Sequence, residues 1–261
     1  MNILVTGSRG YIGNELVKKY ENLGHKVYGI GKEFLKMYSF ESDIYGDHWP
    51  DLDIISHHGA QSSVPLSIEE PEFDAKSNIL GTIKVIELAK KYNVKKIIYS
   101  SSGGACYGNP KVLPVTEDTI PEPLSPYALS KWVGEKYIEL SDVPYTILRY
   151  GNVWSEDCEK GIYAALRDNP CPTIFGDGKK VRDYVHLDDV IEANVLSLEK
   201  GDGEIINIGT GIGTSINQLI VKLQAKPIYT NESRDGEVDK IILDITKARD
   251  VLGWQPTRFI V

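Results

Sequence analysis

The sequence predicts an α/β chain built on a doubly wound parallel sheet, and three observations carry that prediction. Short runs rich in β-branched residues alternate with runs of helical period through the first half of the chain. The first of the β-rich runs ends in a glycine-rich turn that opens a helix. The 261 residues, 41% of them hydrophobic, suffice for one large domain with a smaller appendage.

The elements follow in order. NILVT reads as a strand, and YIGNELVKKYENLG as a helix stopped at Gly24. KVYGI and LDIIS are strands of the same kind. Residues 71–92 form a long helix, with Ile79, Ile83 and Ile86 on one stripe. KKIIYSS is a strand, 126–140 a helix and YTILRY a strand. Such alternation implies right-handed βαβ units and a sheet covered on both faces. Past Gly151 the spacing becomes irregular, and VIEANVLSLEK and SINQLIVKLQ read as helices of a smaller lobe. A main unit over 1–150 and an interwoven lobe over 151–261 are expected.

Composition narrows the function. The net charge of −8, with no basic stripe to offset it, argues against a nucleic-acid partner. Mean hydropathy is −0.23 and no run of eighteen apolar residues occurs, so no membrane-spanning helix is expected. The start, MNILVTGSRGYIG, lacks the basic and cleavable features of a secretory signal. Cys106, Cys158 and Cys171 have no metal-ligand spacing and fit free thiols in a reducing cytoplasm. His57 and His58 lack a third ligand at useful spacing, so no metal site is expected.

TGSRGYIG sets Gly7, Gly10 and Gly13 in a G-x-x-G-x-x-G pattern between a strand and a helix. Missing side chains let the backbone approach a pyrophosphate, and the free N–H groups of the helix start receive its charge. A Rossmann-like dinucleotide site is therefore expected. The end of the second strand offers Gly31 and Lys32 where a site for NAD often places an acid, and Glu33 comes two residues late. Arg9 and Lys32 either meet a 2′-phosphate or are solvated surface charges, so NAD and NADP both stand. SDIYGD supplies Asp43 and Ile44 as an adenine contact.

LSPYALSKW places Tyr127 and Lys131 four apart on one helix face. An ammonium near a phenol favours the phenolate and lowers the tyrosine pKa, which makes an acid or base. The competing reading is a half-buried tyrosine beside a snorkelling lysine. Upstream, YSSSGGACYG ends the fourth strand, where ligands of open parallel sheets sit. Ser100, Ser101 and Ser102 are candidates to hydrogen-bond a reacting oxygen there, and Gly103 and Gly104 leave room for a substrate.

Together these segments resemble the extended short-chain dehydrogenase/reductases, specifically the NAD-dependent nucleotide-sugar epimerase/dehydratase family. The resemblance runs through TGSRGYIG, HHGAQSSVPLSIEEP, NILGTIKVIELAKK, SSSGGACYG, LPVTED, SPYALSK, LRYGNV, TIFGDGKKVRDYVHLDDV, NIGTG, LDITKAR and LGWQP. The later segments look most like UDP-glucose 4-epimerases. The resemblance implies Ser102, Tyr127 and Lys131 as the catalytic set. It implies a cofactor set of Gly7, Gly10, Tyr11, Ile12, Gly13, Asp43, Ile44, His58, Gly59, Asn78, Ser100 and Tyr150, with Tyr127 and Lys131. On the sugar-nucleotide side it implies Asn152, Thr173, Phe175, Arg182 and Arg234, the arginines on the diphosphate, in the C-terminal substrate-binding lobe.

The resemblance implies C4 epimerisation of a UDP-hexose through a transient 4-keto sugar, with bound NAD and no net redox. Dehydratases of this family carry Asp-Glu just after the catalytic threonine, where SGGAC has Gly and Ala. A 4-keto-sugar reductase and a non-catalytic dinucleotide sensor are the competing functions. The chain is shorter than usual members, with an abbreviated stretch between GKEF and LDIIS. By analogy, the helices at 71–92 and 126–140 form a four-helix homodimer interface.

Overall fold

A computed structural model describes residues 1–31, 51–159, 161–169, 171–230, 232 and 234–260. Its elements run β1 (Asn2–Thr6), α1 (Tyr11–Asn22), β2 (Lys26–Ile30), β3 (Ile54–His57), α2 (Val64–Glu69), α3 (Pro71–Ala75), a π-helical turn (Lys76–Leu80) and α4 (Gly81–Lys91). Then come β4 (Lys96–Ser102), α5 (Gly103–Cys106), α6 (Pro126–Glu139), β5 (Tyr145–Tyr150), β6 (Asn152–Trp154), α7 (Gly161–Asp168), β7 (Thr173–Phe175) and β8 (Val181–His186). The chain ends with α8 (Leu187–Leu196), β9 (Glu204–Ile208), β10 (Gly213–Ser215), α9 (Ile216–Leu223), β11 (Ile228–Thr230) and a π-helical turn at Ala248–Leu252.

Six strands form one parallel sheet in the order β2-β1-β3-β4-β5-β9. The central strands are largely apolar on both faces because each face is covered. Ile3, Val5, Ile54, Ile98 and Leu148 point to the layer holding Leu16 of α1 with Val190 and Ile191 of α8. Their strand neighbours Leu4, Ile55, Ile97 and Ile147 point to the layer holding Val85 and Ile86 of α4 and Ile138 of α6. That is the two-residue alternation of a strand buried on both sides. The chain steps outward from β1 in opposite directions, so the crevice beyond its carboxyl end is the topological switch point.

The expected first-half elements form, with two differences. The long helix is interrupted at Lys76–Leu80 by a π turn that the apolar stripe does not reveal. A short helix, α2, precedes it, capped by Ser63, whose hydroxyl accepts from Leu66 N at 3.3 Å. The second half is interleaved with the first. Strand β9 extends the main sheet, while β10-β8-β6 and β11-β7 form small sheets over a core of Trp154, Leu166, Ile174, Tyr184, Leu219 and Ile220. Asp189, an acid in the first turn of α8, serves the chain's C-terminal segment. Its carboxylate accepts from Thr257 N, Thr257 Oγ1 and Arg258 N, docking the segment after Trp254. His186 caps α8 instead, its Nδ1 accepting from Asp188 N at 3.1 Å.

A fully buried ion pair joins α6 to the sheet. Arg149 of β5 donates to Glu135 through Nε at 2.9 Å and Nη2 at 2.6 Å, with exposures of 2% and 0%. Removing one member of such a pair leaves an uncompensated charge in the core. Arg149→Met is expected to lower unfolding free energy by about 3–5 kcal/mol, measured from the urea midpoint. Replacing Glu135 and Arg149 together with apolar residues of matching volume is expected to restore most of that loss.

Candidate active site

The carboxyl end of β1 runs into a turn whose glycines are sterically required. Gly7 sits at φ +70°, and a Cβ there would lie 2.7 Å from the carbonyl carbon of His58. A Cβ on Gly13 would lie 2.2 Å from Gly7 O, so the first turn of α1 packs directly on the loop. Gly10 caps α1 without a side chain, and its first turn carries no acid. The free N–H groups there present positive potential toward the crevice.

Thr6 Oγ1 fastens the adjoining loop after β3. It accepts from His58 N at 3.1 Å and Gly59 N at 2.9 Å, and lies 2.7 Å from His57 Nδ1. With its lone pairs so used, the hydroxyl donates to Nδ1, which leaves the His57 proton on Nε2, 3.2 Å from Thr82 Oγ1. Burial, then the nearby Lys131, holds His57 well below the usual imidazole range. Burial and Lys131 push His58 down to about 3. His58 Nε2 meets Ser56 Oγ at 2.9 Å, whereas its buried Nδ1 has no partner among the described residues. Tyr11 donates across the crevice to Ser155 Oγ at 2.7 Å. Asp43 and Ile44 lie outside the described residues, as do Lys32 and Glu33.

The start of α6 is pinned by Ser125, whose hydroxyl accepts from Ala128 N at 3.2 Å, with Pro126 in the first turn. Tyr127 and Lys131 follow on the inward face, and Ser102, ending β4, faces Tyr127. Burial pushes the Tyr127 phenol up to about 12, and the contribution that lowers it is the hydrogen-bonding interaction with Ser102. The Lys131 ammonium instead lies over the Tyr99 ring, 4.1 Å from its centroid. Burial brings Lys131 down to about 8. Although 3% exposed, this ammonium makes no hydrogen bond or ion pair among the described residues.

Asn78 lies in the π turn, buried beside this pair. Its Nδ2 donates to Gln61 O at 3.0 Å, Ser130 Oγ at 2.9 Å and Asp74 Oδ1 at 3.1 Å, while its Oδ1 accepts from Gln61 N at 2.9 Å. The extra residue of the π turn therefore turns this amide toward α6. Ser101, next to Ser102, donates to Glu135 Oε1 at 2.5 Å, so the buried ion pair reaches the end of β4. Ser100 is half-buried on the same strand. Tyr150 packs its side chain into the core, and its hydroxyl exchanges hydrogen bonds with Asn194 at 2.8–3.1 Å.

On the opposite wall, a Cβ on Gly104 would lie 2.9 Å from Asn152 Oδ1. That places Asn152 beside the turn after Ser102. Arg182 of β8 is half-buried, and burial pulls its guanidinium down from the usual range. Its Nη1 donates to Val181 O at 3.0 Å and Asp239 O at 3.4 Å, with no carboxylate in ion-pair range among the described residues. Arg234 stacks on Phe175, 3.9 Å from the ring centroid, and Thr173 is exposed two residues before that ring. The 234–239 segment joins both arginines. It is held by Asn109, which accepts from Asp239 N at 2.6 Å, and by Gly236, where a Cβ would lie 3.0 Å from Ser125 Cβ.

Sequence reasoning missed Gln61, Asp74, Glu135 and Arg149. Glu135 had a signal: it lies one turn beyond Lys131 on the face shared with Tyr127. The glycine cradle, and a His58 Nδ1 and a Lys131 ammonium that have no hydrogen-bond partner among the described residues, fit a dinucleotide with ribose hydroxyls and a pyrophosphate.

The sequence model of the NAD dependent epimerase/dehydratase family matches residues 3–209. The chain belongs to that family. A UDP-glucose 4-epimerase of Mycolicibacterium smegmatis is 34% identical, over 98% of this chain and 94% of that protein. A UDP-glucose 4-epimerase of Thermotoga maritima, solved with UDP-glucose, is 40% identical and superposes with a TM-score of 0.89, covering 100% of this chain and 95% of that one. The Thermus thermophilus UDP-glucose 4-epimerase in complex with NAD is 26% identical, with a TM-score of 0.84 over 100% of this chain and 95% of that one.

The epimerase/dehydratase cradle gives a direct expectation. Gly13→Ala drives a methyl into the Gly7 carbonyl. The variant is expected to retain at least about tenfold less NAD than the parent protein, a loss of about 1.4 kcal/mol of binding. Quantifying the dinucleotide released on denaturation checks it.

Proposed function

We propose that this chain is an NAD-dependent nucleotide-sugar 4-epimerase that interconverts UDP-glucose and UDP-galactose. The observation that carries the reading is the convergence of Ser102, Tyr127 and Lys131 at the mouth of the glycine cradle. The named relatives support the substrate class.

Gly7, Gly10 and Gly13 let the turn and the start of α1 receive the cofactor pyrophosphate, with the backbone of Tyr11 and Ile12 in the same turn. His58 Nδ1 and the Lys131 ammonium are left to meet its hydroxyl groups. Oxidised NAD, when bound, supplies the acceptor and later donor of the C4 hydride, and a cationic ring whose charge favours the Tyr127 phenolate. Tyr127 takes the proton of the sugar 4-hydroxyl, and Ser102 hydrogen-bonds the same oxygen. The 4-keto sugar then presents its other face, and Tyr127 returns the proton to the new alkoxide. No net oxidation results. The keto sugar must stay bound while it turns, and Arg182 and Arg234 hold the diphosphate by charge-assisted hydrogen bonds.

The dehydratase route has no acid to move its extra proton in the turn after Ser102, which reads Gly103, Gly104, Ala105. The homodimer reading gains support from an apolar strip across two packed helices. Phe73, Leu80, Leu129 and Tyr137 are exposed large side chains there, and the buried Trp132 Nε1 has no partner among the described residues. A second copy set against this strip would build a four-helix interface. The three thiols are free, two of them buried, which supports the cytoplasm as the compartment.

Purified protein is expected to convert UDP-galactose to UDP-glucose without added reductant, followed by chromatography of the sugar nucleotides. Tyr127→Phe should lower kcat by about 10²–10⁴, the range of a positioned acid–base group. Arg182→Met should raise KM about tenfold to a hundredfold, the loss of one charge-assisted hydrogen bond set. Absence of turnover in the parent protein on every UDP-hexose would overturn the reading. For the assembly, Leu129→Glu combined with Tyr137→Glu is expected to convert a dimer to a monomer by light scattering, and an unchanged mass would place the interface elsewhere.

A further inference from the structure

Lys180 and Glu237 form an ion pair that the mechanism above does not use, and it stands against one of the two arginines assigned to the diphosphate. Glu237 Oε2 accepts from Lys180 Nζ, and both side chains are partly buried. The second oxygen, Oε1, lies 4.0 Å from Arg234 Nη1. A guanidinium and a carboxylate in contact close to about 2.7–2.9 Å, often through two parallel hydrogen bonds. At 4.0 Å this pair stands open. Each member is engaged by another group instead. Phe175 takes one face of the guanidinium, 3.9 Å from its ring centroid, and Lys180 takes the carboxylate. The Arg234 side chain is 49% exposed, which leaves guanidinium surface for a ligand.

The backbone fixes the geometry from both sides. Lys180 O accepts from Ile216 N at 3.2 Å, at the entry to β8. The segment carrying Glu237 runs along that strand. Val181 N donates to Asp239 O at 2.9 Å, and Ile241 N donates to Val181 O at 3.2 Å. The neighbouring carboxylate, Asp239, accepts from Asn109 Nδ2 at 3.3 Å. Glu237 is therefore the one carboxylate in ion-pair range of Arg234 among the described residues. A carboxylate at the edge of an anion site opposes that site twice. It repels the incoming anion, and it competes with the anion for the guanidinium. An ammonium held on the carboxylate weakens both effects.

We propose that Lys180 is a positioning residue for the sugar nucleotide: it holds the Glu237 carboxylate, so that the Arg234 guanidinium over Phe175 is left open for the diphosphate. The inference rests on the reading that places Arg234 on the diphosphate, and deepens it by naming the group that keeps this arginine available. Lys180 acts through Glu237 and touches no substrate atom. Its effect falls on binding and not on the proton and hydride steps at Tyr127.

UDP is the probe, with affinity read by titration calorimetry. Lys180→Met should weaken UDP binding by about fivefold or more, because Glu237 then carries an unopposed charge beside Arg234. Lys180→Arg keeps the charge and should bind UDP as the parent protein does. Adding Glu237→Gln to Lys180→Met should recover most of the loss, since the competing charge is gone. On a UDP-hexose the loss in Lys180→Met should fall on KM rather than kcat. A double variant as weak as Lys180→Met alone would overturn the proposal, because Lys180 would then act on the ligand directly. Uridine, which carries no phosphate, should bind the parent and Lys180→Met alike by ligand-observed NMR. Equal losses for uridine and UDP would make Lys180 a packing residue only and overturn the proposal. Glu237→Gln alone decides the matter if Lys180→Met does not fold: it should bind UDP at least as tightly as the parent, and weaker binding would overturn the idea. Arg234→Met separates the inference from the reading beneath it. Undiminished UDP binding by that variant would remove Arg234 from the diphosphate, and the inference with it. Weakened binding by Arg234→Met beside undiminished binding by Lys180→Met would overturn the inference alone.

Discussion

The buried Glu135–Arg149 ion pair is the constraint on which the site's geometry depends. Two charges with almost no exposure are tolerable only when every remaining donor and acceptor is met. Here they are met by groups from four parts of the chain. Ser101 donates to Glu135, Arg149 Nη1 donates to Tyr107 Oη at 2.8 Å, and Tyr107 donates to Asn207 Oδ1 at 2.8 Å. Asn207 closes the run through Val115 O and, by its backbone, Glu117. Helix α6, strands β4, β5 and β9 and the loop before α6 thus share one hydrogen-bonded chain. A shift of α6 along the sheet breaks several of these bonds at once. Tyr127 and Lys131 ride on α6 and Ser102 ends β4, so their spacing is set by a network that none of them joins.

The cofactor half of the site rests on a different kind of constraint, backbone against backbone. Where a Cβ on Gly7 would strike the chain at His58 and one on Gly13 would strike Gly7 O, two loops and a helix start meet with no side chains between them. Thr6 then fixes the loop after β3 with a single hydroxyl serving three partners. The result is a rigid concave surface at the point where the sheet order reverses. Polar satisfaction positions one wall of the crevice and steric exclusion the other.

Much of this was legible in the sequence because much of it is local. A glycine spacing after an N-terminal strand and a tyrosine and lysine four apart are each written within eight residues. Their placement at the switch point follows from the alternation of strand and helix alone. Features that depend on distant partners were not legible. The π turn at Lys76–Leu80 leaves the apolar stripe of Ile79, Ile83 and Ile86 looking like an unbroken helix. The direction of the Lys131 ammonium is chosen by the Tyr99 ring across the layer, which no helical period encodes. The hydroxyl of Tyr150 is held by Asn194, on α8, a partner 44 residues away that no local pattern reveals. Asp189 looks like a helix-start acid and is spent on Thr257 and Arg258, sixty-odd residues away.

The substrate wall is joined to the catalytic helix by one short segment. Asp239 O receives Arg182, Arg234 stacks on Phe175, and Gly236 between them lies against Ser125, the cap of α6. Gly236 is at φ +71°, a conformation that glycine adopts without strain, and the space for a side chain is already filled by Ser125, Leu124 and Ile68. The segment that holds both arginines therefore also contacts the turn carrying Tyr127. In the proposed mechanism, where Arg182 and Arg234 hold the diphosphate, this contact joins binding at that end to the position of the Tyr127 phenol.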